Sequence, residues 1–288
     1  RAFVVWCGTK GLDSLPAHPE AVAWYAVALA NGEAGRRKPL KISSILTELA
    51  AITHEHVQAQ LPPPTRDPYL RIILRGMRRE HGGAVAQSDP LLPRHLNAMV
   101  ACADSEPDDV RRRRDIAILT FGWASAARRE ELSLMQRDHL GFGQGERGDL
   151  CLVKFPRSKG DQEQEGQSCK VRPLSNLAVC PLSAMRSWLE VLEPKDFVFC
   201  KVLHSKAIRK KRMNPRSFDQ IVRRYAALAQ ERYPSTLPPG RYSAHSLRAG
   251  CATWMHLDGA SPFEIRNHLR HRSLTSTMRY VRLGALLT

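Results

Sequence analysis

The sequence lacks the features that would place it in a membrane. No apolar run approaches the roughly 18 residues that a spanning helix needs, and no signal peptide opens the chain. Internal repeats and long low-complexity tracts are also absent. With 43% hydrophobic and 25% charged residues over 288 positions, the chain can bury a core, which excludes a largely disordered protein and predicts about two domains.

Cysteine is sparse and widely spaced. No two of the seven cysteines form a CxxC pair, which argues against a disulfide scaffold and against a cysteine-type zinc site. We therefore expect a reducing, intracellular location, the cytoplasm or nucleoid. The chain begins at Arg1 rather than Met, so we also expect a processed or trimmed fragment.

Acidic residues are too few to balance the basic ones. Lys and Arg number 44 against 28 Asp and Glu, a net charge of +16. Residues 1–90 hold 11 basic and 8 acidic side chains, whereas the remaining residues hold 33 and 20. A field of this sign favours a polyanionic partner such as DNA, RNA or an acidic membrane face.

Apolar periodicity predicts two differently built domains. The first is predicted to be a small helical bundle with a basic outer face, and its helices cover 21–30, 42–57 and 69–77. Gly and Pro concentrate in the aperiodic stretch that follows, which predicts a linker. The second is predicted to be mainly helical with a small antiparallel sheet, whose strands cover 149–155, 168–174 and 197–200. The boundaries that we assign are 1–82, a linker over 83–93, and 94–288.

Four segments carry side chains suited to a phosphate-binding cleft. Such a cleft needs guanidinium groups that clamp phosphate oxygens, proton donors and acceptors, and a nucleophile if the chemistry is covalent. His268 and His271 lack a third ligand and a nearby carboxylate, so we expect no metal there. Taken singly, each segment is ordinary for a charged helix start or a polar turn. The four cover residues 126–132, 157–161, 245–248 and 269–280.

Together the motifs resemble the tyrosine recombinase family, which includes the phage integrases. The order is Arg, Lys, HxxR, LxH and a Tyr nine residues after its His, and the resemblance covers essentially the whole chain. It implies a C-shaped, two-domain DNA clamp. A helical, SAM-like core-binding domain, similar over residues 3–6 and 15–17, would precede a mixed α+β catalytic domain.

The resemblance implies roles for three basic residues. Arg128 and Arg248 would bind the scissile phosphate and stabilise its pentacovalent state. Lys159 would protonate the leaving 5′ oxygen. Two alternatives stay open. Arg129, which adjoins Arg128, could be the phosphate ligand in its place, and Lys154 in the predicted strand could be the general acid in place of Lys159.

The remaining site residues follow from the same resemblance. His245 would act as base or positioner near the attacking phenol, and His271 would hydrogen-bond a phosphate oxygen. Tyr280 would be the nucleophile that forms a 3′-phosphotyrosine, and Glu131 would hold the site in shape. Because side chains supply the charge, no metal or other cofactor is expected, in contrast to two-metal nucleases, which need carboxylate clusters.

The sequence departs from the family pattern in three places. Ala126 and Ala127 stand where the family usually has Gly-Leu before its first arginine, and Arg270 stands where it has Gly before the histidine. None of these changes removes a functional group. Only eight residues follow Tyr280, where family members often carry a segment that docks into a neighbouring protomer, so we expect truncation or a different assembly contact.

Basic clusters outside the motifs predict contacts with the DNA backbone, the alternative being solvated surface. The expected DNA-binding residues are Arg36, Arg37, Lys38, Arg75, Arg78, Arg209, Lys210, Lys211 and Arg212.

The leading hypothesis is a site-specific recombinase or integrase of a mobile element, which cuts and rejoins double-stranded DNA by two-step strand exchange. The resemblance implies a core site with inverted repeats, a dimer on each site and a tetramer in synapsis. Two alternatives remain, a type IB topoisomerase-like nicking-closing enzyme and a catalytically silent site-binding protein. An RNA-binding protein is disfavoured because no aromatic platform motif is present.

Overall fold

The computed structural model describes residues 1–35, 38–82, 88–146, 148–155, 166–193, 197–203 and 207–285, without the side chains of Lys210 and Ala285. The chain separates into two compact units, residues 1–86 and 87–288. Helices dominate both, and the strands form two small antiparallel sheets, in agreement with the predicted fold class. No helix among the described residues is long and apolar enough to cross a membrane.

The first unit is a helical bundle around three aromatic side chains. The Tyr25 ring lies 5.0 Å from the Phe3 ring and 5.2 Å from the Trp6 ring. Nε2 of His56, on the third helix, accepts a hydrogen bond of 2.9 Å from the amide of Ala17, which lies in the loop between the first two helices. This bond ties that loop to the third helix. The helices are α1 (Ala2–Lys10), α2 (Pro19–Asn31), α3 (Ile42–Gln58) and α4 (Pro68–His81).

Helix α4 has the basic outer face that the sequence predicts. Leu70 and Met77, two turns apart, are buried in the bundle core. Arginines occupy the solvent-facing positions between and after them, so the helix is held by its apolar side and presents positive charge outward. The exposed arginines of α4 are Arg71, Arg75, Arg78 and Arg79.

The second unit packs helices around a three-stranded sheet and a two-stranded one. Strands β1 (Leu140–Gly145), β2 (Gly148–Phe155) and β3 (Gln167–Val171) form the first, and β4 (Cys200–Val202) pairs with β5 (Ile208–Arg212) in the second. The helices are α5 (Pro93–Asp104), α6 (Asp109–Ala124), α7 (Arg129–Leu134), α8 (Pro181–Leu189), α9 (Pro215–Arg232), α10 (Ala244–Leu257), α11 (Pro262–Leu269) and α12 (Leu274–Ala285).

One predicted strand is wrong. We expected a strand over 197–200, but β4 begins at Cys200, and Phe197 forms only an isolated bridge with Gln136. The apolar run is explained by burial of Val198 and Phe199 in the core rather than by strand pairing. A short apolar run is ambiguous between these outcomes because it carries too few residues to display a period.

Residues 88–92, which the sequence assigns to the linker, pack into the second unit. Leu91 is fully buried, its amide donates to the Ser246 carbonyl at 3.1 Å, and its carbonyl accepts from the Trp123 indole at 2.7 Å. A Cβ atom at Gly250 would lie 2.0 Å from the Leu91 carbonyl oxygen, so only glycine lets α10 approach this closely. The segment therefore fixes α10, the helix that carries the HxxR motif.

Candidate active site

The turn over residues 124–126, at the end of α6, offers three successive carbonyl oxygens to side chains from α10 and from the end of α11. Nε2 of His268 lies 2.9 Å from the first carbonyl oxygen. Arg270 donates to the second at 3.1 Å and to the third at 3.2 Å, and Arg248 donates to the third at 2.5 Å. The C-terminal end of a helix carries partial negative charge, so it suits buried guanidinium groups.

At two positions of this site, Ala126 and Arg270, the chain carries another residue where the family pattern has glycine. Both residues have a left-handed backbone conformation. The φ angle is 47° at Ala126 and 57° at Arg270. Glycine adopts this conformation without steric penalty, whereas other residues do so at a penalty. The two departures therefore change the side chain but keep the backbone path that glycine would favour.

Glu131, in the first turn of α7, joins two arginines. The Arg128 amide donates to its Oε2 at 2.8 Å and the Arg128 guanidinium to its Oε1 at 2.5 Å. Arg270 donates to Oε2 at 2.9 Å. Burial alone would raise the pKa of Glu131, but the charges of Arg270 and Arg128, with the hydrogen bonds from Arg128, outweigh it and lower that pKa. The carboxylate therefore stays ionised and holds Arg128 in place.

Arg248 is almost completely buried, with 2% of its surface exposed. It donates to the carbonyl oxygens of Ala126 and Leu269. Burial, followed by the positive charges of Arg128 and Arg270, lowers its pKa to about 9. The side chain is still cationic at pH 7. With Arg128 and Arg270 it makes three guanidinium groups around the carboxylate of Glu131, so positive charge is in excess in the pocket. An anion bound there would relieve this excess.

Tyr280 on α12 lies between two histidines. Its hydroxyl is 3.3 Å from Nε2 of His245, the second residue of α10. Its ring is stacked on the His271 ring, with centroids 5.9 Å apart and an interplanar angle of 11°. Nδ1 of His271 is in turn 2.9 Å from the Thr277 hydroxyl oxygen.

Burial sets the protonation of these three side chains. It lowers the pKa of His271 to about 3, with further lowering by Arg248, Arg128 and Arg270, and it also lowers the pKa of His245. It raises the pKa of Tyr280, although the charges of Arg248 and Arg128 oppose the shift. At pH 7 the imidazoles are therefore neutral and the phenol is protonated, so His245 can accept the phenol proton.

The structure thus brings together Arg128, His245, Arg248, His271 and Tyr280, with Glu131 behind them. Between the two candidate first arginines, the charge of Arg128 acts on Arg248, His271 and Tyr280. Arg129 instead pairs with Asp219 on α9 at 2.6 Å. The geometry therefore favours Arg128 as the pocket arginine.

Lys159, the predicted general acid, lies outside the described residues. Its competitor Lys154 is exposed on β2, paired with Ser168 of β3, and lines a cavity of about 290 Å³ together with Glu131 and Phe155.

Several predicted DNA-binding residues can be located. Lys38, Arg75 and Arg78 are exposed in the first unit, and Arg209, Lys211 and Arg212 are exposed on β5 in the second. Arg36 and Arg37 lie outside the described residues, as does the side chain of Lys210.

Sequence reasoning missed two contributors to this site. Arg270 was noted only as a departure from glycine, and the position of Thr277, six residues after His271, carries no motif. No group of three or more His, Cys, Asp or Glu within the described part of the chain is arranged to hold a metal ion.

Comparison with known proteins agrees with the motif assignment. The model of the phage integrase family matches residues 91–285. An integrase/recombinase XerD homolog of Selenomonas ruminantium is 27% identical over 287 residues, which covers 98% of this chain and 78% of that protein.

Two solved structures share the fold. XerH site-specific recombinase bound to a palindromic difH substrate has a TM-score of 0.61 at 16% identity, covering 96% of this chain and 71% of that one. The Tn1549 transposon integrase in complex with circular intermediate DNA has a TM-score of 0.60 at 12% identity, covering 91% and 80%. From the family match over most of its length, the chain belongs to the phage integrase family, the tyrosine recombinases.

Proposed function

We propose that this recombinase cuts and rejoins double-stranded DNA at a specific core site through a 3′-phosphotyrosine on Tyr280. The observation that carries the proposal is the Tyr280 hydroxyl, 3.3 Å from a neutral His245, beside a pocket in which arginine charge exceeds carboxylate charge. A tyrosine nucleophile needs both a proton acceptor and compensation for charge that builds on phosphorus.

The chemical step is a transesterification. The Tyr280 oxygen bonds to the scissile phosphorus while its proton passes to His245, and the bond to the 5′ oxygen breaks. Arg128 and Arg248 hold the non-bridging oxygens, His271 donates a hydrogen bond to one of them, and a lysine protonates the leaving oxygen. The tyrosyl ester keeps the phosphodiester energy, so a DNA 5′ hydroxyl can reverse the step without a nucleotide cofactor.

The assembly that we propose is the one that the family resemblance implies. We propose that residues 1–82 form the core-binding domain and 94–288 the catalytic domain, which engage DNA through basic surfaces that include the outer face of α4. A core site with inverted repeats would bind a dimer, and two sites would synapse in a tetramer for two-step strand exchange. The named relatives, one of them bound to a difH substrate, support DNA as the partner.

A suicide substrate tests the nucleophile. The probe is a duplex that carries a candidate core site, to be sought as inverted repeats beside the gene. It is nicked so that the cleaved strand diffuses away and the covalent product accumulates. We expect the native chain to form a protein–DNA adduct that survives a denaturing gel. Tyr280→Phe removes only the phenol oxygen, so it should form no adduct and bind the duplex as before. An undiminished adduct in this variant would refute the assignment.

Product analysis separates the alternatives. A recombinase should yield recombinant strands from two core sites, whereas a nicking-closing enzyme should only relax supercoiled plasmid. A catalytically silent binding protein should shift the duplex without forming any adduct.

A sulfur-substituted substrate identifies the lysine acid. A 5′-bridging thiolate leaves without protonation, so loss of the acid should be harmless on this substrate. We expect the Lys159→Ala variant to cleave the ordinary duplex more slowly than the native chain does. On the duplex with the 5′-bridging sulfur, the two should cleave at the same rate. Lys154→Ala is the matched variant, and the same rescue there would transfer the role to Lys154.

A further inference from the structure

Arg270 is a charged residue at a position of this site where the family pattern has glycine. Its guanidinium makes four hydrogen bonds, to the carbonyls of Ser125, Ala126 and His268 and to the Glu131 carboxylate. It also lies over the Phe155 ring, 3.9 Å from its centroid. A surface arginine at a helix end would not be bonded in this way.

The geometry excludes a direct role on DNA. The Arg270 side chain is 2% exposed, and each of its two terminal nitrogens donates to two acceptors of the protein, so neither has a hydrogen left for a phosphate. Each terminal nitrogen of Arg248, in contrast, donates to a single carbonyl, so Arg248 keeps hydrogens that can reach a phosphate oxygen. The neighbours that it fixes, in contrast, are those that hold the pocket arginines. Oε2 of Glu131 accepts hydrogen bonds from both the Arg270 guanidinium and the Arg128 amide. The Ala126 carbonyl oxygen accepts from both Arg270 and Arg248.

We propose that Arg270 is a positioning residue for the recombination reaction, whose guanidinium locks Glu131 and the 124–126 turn so that Arg128 and Arg248 face one phosphate together. The inference rests on the function proposed above. It assigns to Arg270 no contact with the reacting atoms. Its contribution is to the orientation of two guanidinium groups, and orientation errors of about 1 Å can slow a reaction by roughly a hundredfold.

The backbone conformation at Arg270 supports this role. Arg270 terminates α11 with a left-handed φ of 57°, a conformation that glycine adopts without penalty. The Arg270→Gly variant therefore keeps the backbone path and deletes the side-chain contacts. It is the substitution best suited to separate positioning from folding.

The experiment measures single-turnover cleavage with the suicide duplex at a saturating concentration and in excess over the protein, so that each protein molecule forms at most one adduct. The end point of adduct formation gives the fraction of correctly folded protein, and the first-order rate constant reports the orientation of the site. For Arg270→Gly we expect a rate constant 10- to 100-fold lower, an unchanged normalised end point and a DNA dissociation constant within threefold of native. A structural role alone would lower the end point and leave the rate constant unchanged.

Two controls match the change. Gln60→Gly replaces another residue with left-handed φ, 57°, at the end of α3 and far from these contacts in sequence. Arg266→Gln removes a guanidinium from α11 that bonds only Asn267 and lies over Phe263 among the described contacts. Both should cleave within twofold of the native rate.

Coupling to Glu131 makes the test specific. If Arg270 acts through the carboxylate, its loss should slow cleavage less than threefold in a Glu131→Gln background, because that partner is already altered. An equal slowing in both backgrounds would overturn the proposed route, and a native rate constant in Arg270→Gly would overturn the proposal.

Arg270→Lys covers the case in which the glycine variant does not fold. It keeps the charge but cannot reach all four acceptors, so an intermediate rate constant at a full end point is expected, and a native rate constant would again overturn the proposal. If the native chain forms no adduct that depends on Tyr280, the proposed function fails as well. If it does form one, failure of the Arg270 predictions leaves that function intact.

Discussion

The two halves of the pocket are held in different ways. The anchored half consists of Arg128, Glu131, Arg248 and Arg270, and its guanidinium groups bond main-chain carbonyls and a buried carboxylate. The α12 half consists of His271, Thr277 and Tyr280, whose phenol oxygen lies 3.3 Å from Nε2 of His245 and is also hydrogen-bonded to the Arg248 side chain.

This difference matches what each half would do in the proposed reaction. Buried charges need hydrogen-bond partners, and fixed charges stabilise a transition state without reorganising when it forms. A nucleophile, in contrast, must leave its resting contact to reach phosphorus. The guanidinium groups are therefore fixed by main-chain carbonyls and a buried carboxylate, whereas the Tyr280 oxygen is held by side chains alone.

The largest effect should come from the anchored half. Arg248→Lys keeps a positive charge, but one ammonium group cannot bond the carbonyls of Ala126 and Leu269 and also clamp a phosphate. We expect single-turnover cleavage to fall by about 100- to 1,000-fold, in the range for loss of one transition-state donor. DNA affinity, measured by a gel shift, should change little. A loss below tenfold would contradict the view that this half is fixed by paired contacts.

The anchored half also marks the limit of sequence reasoning. The HxxR spacing, the LxH motif and the tyrosine were predictable because they are local signals on helices with recognisable starts, such as the Ser243 cap of α10. The bond between Glu131 and Arg270 was not, because the residues are 139 positions apart and meet only through a left-handed turn. Contacts that depend on such a turn leave no periodic signal.

The fold shows the same limit. Helices with capping residues or an early proline were predicted nearly to their ends, as for α2, which was predicted over 21–30 and covers Pro19–Asn31 with a proline as its first residue. Strand β1 was missed because its sequence alternates with glycine, which has low strand propensity and gives no apolar alternation.

On the α12 half, the hydroxyl of Thr277 is the contact to remove. Its oxygen lies 2.9 Å from Nδ1 of the neutral His271 ring and so fixes the orientation of that ring. In the proposed reaction this leaves Nε2 for the phosphate oxygen. Thr277→Val keeps the shape, and we expect about tenfold slower cleavage, equivalent to about 1.4 kcal/mol, in the range for one hydrogen bond.

Thr277→Ser is the matched control, since it retains the hydroxyl, and it should cleave within threefold of the native rate. An equal loss in the serine variant, which keeps the hydroxyl, would mean that loss of the hydrogen bond does not account for the effect of Thr277→Val.

Acid should weaken the anchored half through His268. Burial lowers the pKa of His268 to about 4 while it bonds the Ala124 carbonyl, whereas an unfolded histidine titrates near 6.5. Between these values the unfolded state binds more protons, so the free energy of unfolding should fall as the pH drops from 6.5 towards 4. The contribution is at most about 1.4 kcal/mol per pH unit.

His268→Gln keeps a donor for the carbonyl but does not titrate. Urea unfolding at several pH values should therefore show a shallower pH dependence for this variant than for the native chain. Parallel curves would indicate that His268 is not held neutral, and the 124–126 turn would then be less tightly enclosed than the contacts imply.

The smallest effect should come from the other left-handed residue of the pocket, Ala126. Its side chain makes no hydrogen bond, so Ala126→Gly removes a steric penalty of about 1–2 kcal/mol and adds chain entropy to the unfolded state worth about 0.4–1 kcal/mol. We expect a net gain in unfolding free energy of roughly 0.5 kcal/mol, read from urea midpoints. Arg270→Gly relieves a similar penalty but loses four hydrogen bonds, so it should be less stable than native. If the unfolding free energy rises in Ala126→Gly and falls in Arg270→Gly, side-chain contacts rather than backbone conformation distinguish Arg270. If both changes have the same sign, that distinction is lost.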